Sequence, residues 1–227
     1  MIYAILAIVV LALLLGPQWW VSWIMQRYNR RREENFPGDG GALARHLLDR
    51  FLLNSVRVES TDSGDHYDPE AKAVRLTPDK LTGRTLTAIT TAAHEVGHAL
   101  QDAADEPMFR LRKRLATIAV PAQRIGSFLL FAAPLLTLAT RMPAAGLLTA
   151  VAAFLVMGTQ VVIQMVTLPV ELDASFRKAL PLLESGYLEP AQVVGAKRIL
   201  RAASLTYLAA SLAGLLNFWQ WLRVLRR

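Results

Sequence analysis

His94, Glu95 and His98 stand within one short stretch, His94-Glu95-Val96-Gly97-His98. On an α-helix, positions four apart lie on one face, so two imidazoles at this spacing can hold one metal ion together. Glu95 is turned about 100° from His94 on the helical repeat, which lets its carboxylate meet a water beside the metal without taking a coordination position. The chemistry such a set supports is zinc-assisted hydrolysis of a peptide bond, with Glu95 as general base.

The flanking residues can supply the helix. Leu86, Ile89, Ala93, Val96 and Leu100 recur at helical spacing, and no proline interrupts Thr85 to Gln101. Thr82-Gly83 offers an N-cap, and Pro107 lies beyond an expected end near Asp102. Gly97 weakens an ordinary helix by roughly 1 kcal/mol relative to alanine; it either lets another element approach the metal-binding turn closely or is a tolerated defect.

A catalytic zinc takes three protein ligands and keeps one open position. His46 and His66 are the only other histidines, and His46 sits among Leu43, Leu47 and Leu48 as a surface residue of a helix. Glu171, in Leu168-Pro169-Val170-Glu171-Leu172-Asp173-Ala174-Ser175, follows a long apolar run. Two membrane crossings separate it from the motif and return it to the same face, which makes it the expected third ligand. His66, Tyr67 and Arg177 are candidates for the donor that a tetrahedral intermediate needs at its oxyanion. Asp102, four residues after His98, is either a partner of that histidine or a surface aspartate.

The apolar 53% of the 227 residues is concentrated in runs. Residues 2 to 25 carry no charge and contain Trp19, Trp20 and Trp23, as expected of a retained membrane anchor with interfacial tryptophans. Residues 125–139 and 144–168, joined by Arg141-Met142-Pro143, form a helical hairpin. Its first arm is short unless it extends back through Ala116 to Pro121 and buries Arg124. A fourth run, 202–222, either crosses or lies in the interface. The net charge of +7 is no nucleic-acid footprint, because the basic residues flank the runs. Arg27, Arg30, Arg31 and Arg32, then Arg110, Arg112, Lys113 and Arg114, then Arg177, Lys178, Lys197, Arg198 and Arg201 fall on one side, the cytoplasmic one by the positive-inside rule. Arg223, Arg226 and Arg227 oppose it. The absence of cysteine excludes disulfides, thiolate ligands and a cysteine nucleophile.

Between the first two runs lies a more polar region. Leu43, Leu47, Leu48, Phe51 and Leu52 mark a helix; Val56–Glu59, His66–Asp68 and Ala73–Leu76 mark the strands of a small antiparallel sheet. The last strand is a candidate exposed edge on which an extended substrate adds. The competing reading is a non-catalytic membrane scaffold in which zinc only ties this unit to the helices. A structural zinc is normally closed by a fourth protein ligand, and none is evident.

Four strings, Asp65-His66-Tyr67-Asp68-Pro69, Val74-Arg75-Leu76, Ala92-Ala93-His94-Glu95-Val96-Gly97-His98-Ala99 and Leu168 to Ser175, give the chain its resemblance to the YugP-type neutral zinc metallopeptidases of bacterial membranes. It is more remotely similar to the HtpX-type membrane gluzincins, whose third ligand is the glutamate of Glu-x-x-Ala-Asp; Glu171 and Ala174 match, and Ser175 stands in the place of the aspartate. The resemblance implies an α-helical membrane protein with a small α+β extramembrane unit, its zincin-like motif helix packed on about four transmembrane helices. It implies one Zn2+ on His94, His98 and Glu171, and proteolysis of unfolded or membrane-proximal polypeptides at the cytoplasmic face of the bacterial inner membrane. Asp173, Ser175 or Asp102 is left to orient a ligand histidine. The expected organisation is an anchor (1–25), the motif-bearing unit (26–114), the hairpin (115–170), a cytoplasmic helical segment with the third ligand (171–201) and a last transmembrane or interfacial helix (202–227).

Overall fold

The computed structural model describes residues 2–29 and 36–214. Its elements in chain order are α1 (Ile2–Asn29), α2 (Gly40–Arg50), β1 (Arg57–Ser60), β2 (His66–Asp68), β3 (Ala73–Leu76), α3 (Pro78–Leu81), α4 (Leu86–Ala103), α5 (Pro107–Thr140), α6 (Pro143–Leu172), a π-helical segment (Asp173–Ala179), α7 (Leu180–Glu184) and α8 (Pro190–Gly214). Two compact units result, one of residues 1–18, 111–167 and 207–227, the other of 19–110 and 168–206.

The first unit is the apolar one. Among the described residues, three helical stretches are long and apolar enough to cross a membrane: Ile8–Asn29, Pro107–Thr140 and Pro143–Glu184. Leu138, Leu147, Leu148 and Leu155 are each at least 67% exposed, an apolar surface that water disfavours and lipid accepts. α5 does extend back past Pro121, but Arg124 is exposed on it and not buried. The hairpin arms meet at small residues: a Cβ on Gly126 would lie 3.1 Å from the Ala153 carbonyl. The chain reverses at Arg141, whose φ is 53°. The continuation of the fourth apolar run beyond Gly214, and Arg30, Arg31, Arg32, Arg223, Arg226 and Arg227, lie outside the described residues.

The second unit is built around α4, which is buried along nearly its whole length. Its N-cap is Thr85, whose hydroxyl accepts from Ala88 N at 3.1 Å, two residues after Gly83 and three after Thr82, the expected cap. The reason is local: Pro78 opens α3, and Thr82 ends it as a C-cap with its own N–H on Pro78 O. Thr85 also donates to Asn29 Oδ1 at 2.7 Å, and Thr87 to Met25 O at 3.0 Å, so the end of α1 docks on the start of α4. α2, capped by Asp39 on Ala42 N at 2.8 Å, packs against α4 through Leu43, Leu47 and Leu48.

The sheet is mixed, not antiparallel, with strand order β1-β3-β2. β2 and β3 form a hairpin, Tyr67 opposite Val74; β1 runs parallel to β3, Val58 opposite Val74. The turn-rich Thr61 to Gly64 stretch carries the chain across the end of β3, Thr61 N bonding Leu76 O at 2.9 Å, instead of folding β2 back on β1. β3 is therefore the central strand, paired on both sides, and cannot be the open edge. Arg75 on β3 ties both neighbours by ion pairs to Glu59 (3.2 Å) and Asp68 (2.7 Å). Asp68 also accepts from Ala71 N and Glu70 N at 2.9 Å, closing the hairpin turn. The Ala71 N–H bond above all, outweighing partial desolvation, holds the Asp68 carboxyl below its usual range, with Glu70 N–H and Arg75 adding to it.

A candidate metal centre

Helical spacing places His94 and His98 on one buried face of α4, their rings edge to face with centroids 4.7 Å apart. Glu171, in the last turn of α6, reaches between them: its Oε2 is 3.3 Å from His94 Nε2 and 3.2 Å from His98 Nε2. All three side chains are buried, and one ligand atom from each can be chosen within 4.8 Å of the others. Around a tetrahedral zinc with bonds of about 2.0–2.1 Å, neighbouring ligand atoms are about 3.3 Å apart. The nitrogen–oxygen separations and the donor set, two imidazoles and a carboxylate, thus fit a zinc ion.

The approach of the two elements depends on Gly97. A Cβ there would lie 2.7 Å from Ala174 O and 3.2 Å from Ala174 C, backbone atoms of the π-helical segment. The glycine lets that segment lie against the metal-binding turn, and with it Ser175, one helical turn beyond Glu171.

Partners of the far ring nitrogens decide which nitrogen faces the centre. Gln101 Nε2 lies 2.9 Å from both Val170 O and Asp173 Oδ2, two acceptors. Its Oε1 is therefore the atom facing His98 Nδ1, at 2.9 Å, and can only accept. The proton of the neutral ring is then on His98 Nδ1, which leaves the Nε2 lone pair to point to the centre. His94 Nδ1 lies 2.9 Å from Ser175 Oγ. Ser175 can accept that N–H while its own hydroxyl donates to Ser204 Oγ at 2.7 Å, and Ser204 donates in turn to Leu200 O at 2.8 Å. Apart from the partly exposed Asp173, the residues of these hydrogen bonds are buried, where an unmatched donor costs about 1–3 kcal/mol.

The other expected residues fall in different places. Glu95 is buried beside His94 on α4. Asp173 meets Gln101 and is ion-paired with Lys178 at 2.6 Å and Arg177 at 3.4 Å, the Arg177 side chain being largely exposed. Asp102 accepts from Tyr67 Oη at 2.8 Å and pairs with Lys72 at 2.5 Å. Burial of the ring, and then the Asp102 carboxylate, push the Tyr67 phenol above its usual range, so it stays a donor at neutral pH. His66 is the neighbour of Tyr67 on the same strand, so its side chain leaves the opposite face; its Nδ1 meets Gly64 O at 2.8 Å. His46 is exposed, its ring edge-on to Tyr187. Sequence reasoning passed over Gln101 and Ser204. Gln101 carried a signal, an amide three residues after His98 on the buried face; Ser204 lies too far along the chain for any spacing to single it out.

Comparison with known proteins agrees with this geometry. The family model described as "putative neutral zinc metallopeptidase" matches residues 3–226. The chain is 31% identical over 226 residues to the "putative membrane protease YugP" of Bacillus subtilis (strain 168), covering 99% of this chain and 96% of that one. No solved structure matches significantly. By the extent of both matches, the chain belongs to the family of putative neutral zinc metallopeptidases.

Proposed function

We propose that this protein is a membrane-embedded zinc endopeptidase, with the site at the cytoplasmic face of a bacterial inner membrane and with unfolded or membrane-proximal polypeptides as substrates. The observation that carries the reading is the buried triangle of His94, His98 and Glu171. When bound there, zinc supplies a Lewis acid that polarises a peptide carbonyl and makes water acidic near neutral pH. Glu95, adjacent to His94 and off the ligand set, takes the water's proton and delivers it to the leaving amine. Ser175 and Gln101 hold the ligand rings in the orientation that leaves both Nε2 lone pairs available. Of the oxyanion candidates, Tyr67 is the one whose side chain reaches α4, through Asp102. β1 and β2 are the two edge strands among the described residues, and the edge suited to an extended substrate moves from β3 to β2, the one of the two that packs against α4. The cytoplasmic orientation rests on the basic residues flanking the apolar runs.

Purified full-length protein, its zinc content and its hydrolysis of an unfolded protein test this. Glu95→Gln should retain zinc and lose at least about 100-fold in turnover, since the amide keeps the shape without accepting a proton. Undiminished turnover by that variant would refute Glu95 as the base.

A further inference from the structure

We propose that Gln101 is a positioning residue of the metal centre, holding His98 in one tautomer and tying that imidazole to the ion-paired Asp173. The proposal rests on the zinc reading of His94, His98 and Glu171. Gln101 is 1% exposed, and its amide has a partner at each polar atom: His98 Nδ1, Val170 O and Asp173 Oδ2, each at 2.9 Å. Only an amide can accept from an imidazole N–H on one side and donate twice on the other. A hydrophobic side chain of equal size satisfies none of these groups. A carboxylate could accept from His98, yet it would face Val170 O without a donor and stand against the Asp173 carboxylate.

Asp173 extends the line. Lys178 Nζ bonds Asp173 Oδ2 at 2.6 Å and Glu106 Oε1 at 2.7 Å, and is itself mostly buried. The order is therefore His98 on α4, Gln101 one turn later, Asp173 at the start of the π-helical segment, Lys178 near its end, and Glu106 before α5. Glu171 stands two residues before Asp173 on the same chain. Gln101 thus links the two sides of the ligand set, the α4 histidine and the segment that follows the α6 carboxylate, through hydrogen bonds whose direction is fixed. Residues that hold a ligand histidine in this way change metal affinity about 10–100-fold when removed.

The test measures zinc affinity by chelator competition on the full chain in detergent, alongside thermal unfolding of the metal-free protein. Gln101→Met, which keeps the volume and removes every hydrogen bond, should weaken zinc about 10–100-fold. Gln101→Glu should also weaken it, because two carboxylates then meet. Gln101→Glu combined with Asp173→Asn should recover affinity to within several-fold of wild type, since the amide at 173 now donates to the carboxylate at 101. Both glutamate variants leave Val170 O without its donor, so their difference isolates the link to residue 173. Zinc affinity of Gln101→Met within twofold of wild type would overturn the proposal, as would a double variant no better than Gln101→Glu alone. If Gln101→Met does not fold, the glutamate pair decides. A wild-type chain that takes up no zinc would instead overturn the zinc reading, and the proposal with it.

Discussion

Gly97→Ala separates a glycine that merely weakens its helix from one required by the packing. In an open helix the change stabilises by about 1 kcal/mol, because alanine has less backbone entropy to lose. Here the new Cβ would lie 2.7 Å from Ala174 O, with Ala174 C and Cα at 3.2 and 3.3 Å. All three are backbone atoms, so no side-chain rotation relieves the overlap. Restoring ordinary contact parts α4 from the π-helical segment by about 0.7 Å. Overpacking on this scale costs about 1–3 kcal/mol, which outweighs the gain in helix propensity and leaves a net loss of about 1 kcal/mol. For a chain of this size that is a fall of about 2–4 °C in the unfolding temperature. The same displacement exceeds the roughly 0.2 Å tolerance of a metal–ligand distance and moves the segment that follows Glu171, so zinc should weaken by at least about tenfold. Thermal unfolding of the metal-free chain in detergent and chelator competition for zinc give the two readings. A Gly97→Ala protein that unfolds at higher temperature and binds zinc as tightly as wild type would refute the packing account.

Ser175→Ala should leave the His94 Nδ1–H without its acceptor and weaken zinc about 10–100-fold, measured by the same competition, whereas Ser175→Thr, which keeps the hydroxyl, should lose less. The lowered carboxyl of Asp68 means that the unfolded chain takes up the proton first as pH falls, so the stability Asp68 contributes is present above its ordinary pKa near 4 and lost below it. Asp68→Ala should flatten that acid limb in unfolding curves recorded from pH 6 to pH 3. Single cysteines placed at 80 and 185 should resist an impermeant thiol reagent in intact cells and react after permeabilisation; labelling of both in intact cells would reverse the proposed orientation.

The candidate metal ligands were legible because their chemistry coincides with periodicity. His94 and His98 share a face at four-residue spacing, and Glu171 returns to them because an even number of apolar runs intervenes. Gly97, standing where alanine would serve a helix better, read equally as a close approach or a tolerated defect in the sequence, and the Ala174 backbone beside it decides for the first. The strands appeared where Val58, Tyr67 and Val74 suggested, β1 starting one residue after the expected Val56. Their order did not, since a turn-rich stretch such as Thr61 to Gly64 serves equally for a hairpin and for a passage across a strand end. The cap at Thr85 was displaced by α3, a single turn too short for any periodic signal. The hydrogen bonds behind the histidines depend on distant residues, Ser204 above all, and on a π-helical turn that propensities do not mark.

The central claim is that His94, His98 and Glu171 hold one zinc while Glu95 stands apart from it, and zinc stoichiometry of matched variants tests this most directly. Wild type and Glu95→Gln should each carry about one zinc per chain by elemental analysis, as one mononuclear site requires. Glu171→Gln should lose most of its zinc and its proteolysis together. A Glu171→Gln protein that keeps one tightly held zinc and full activity would contradict the account.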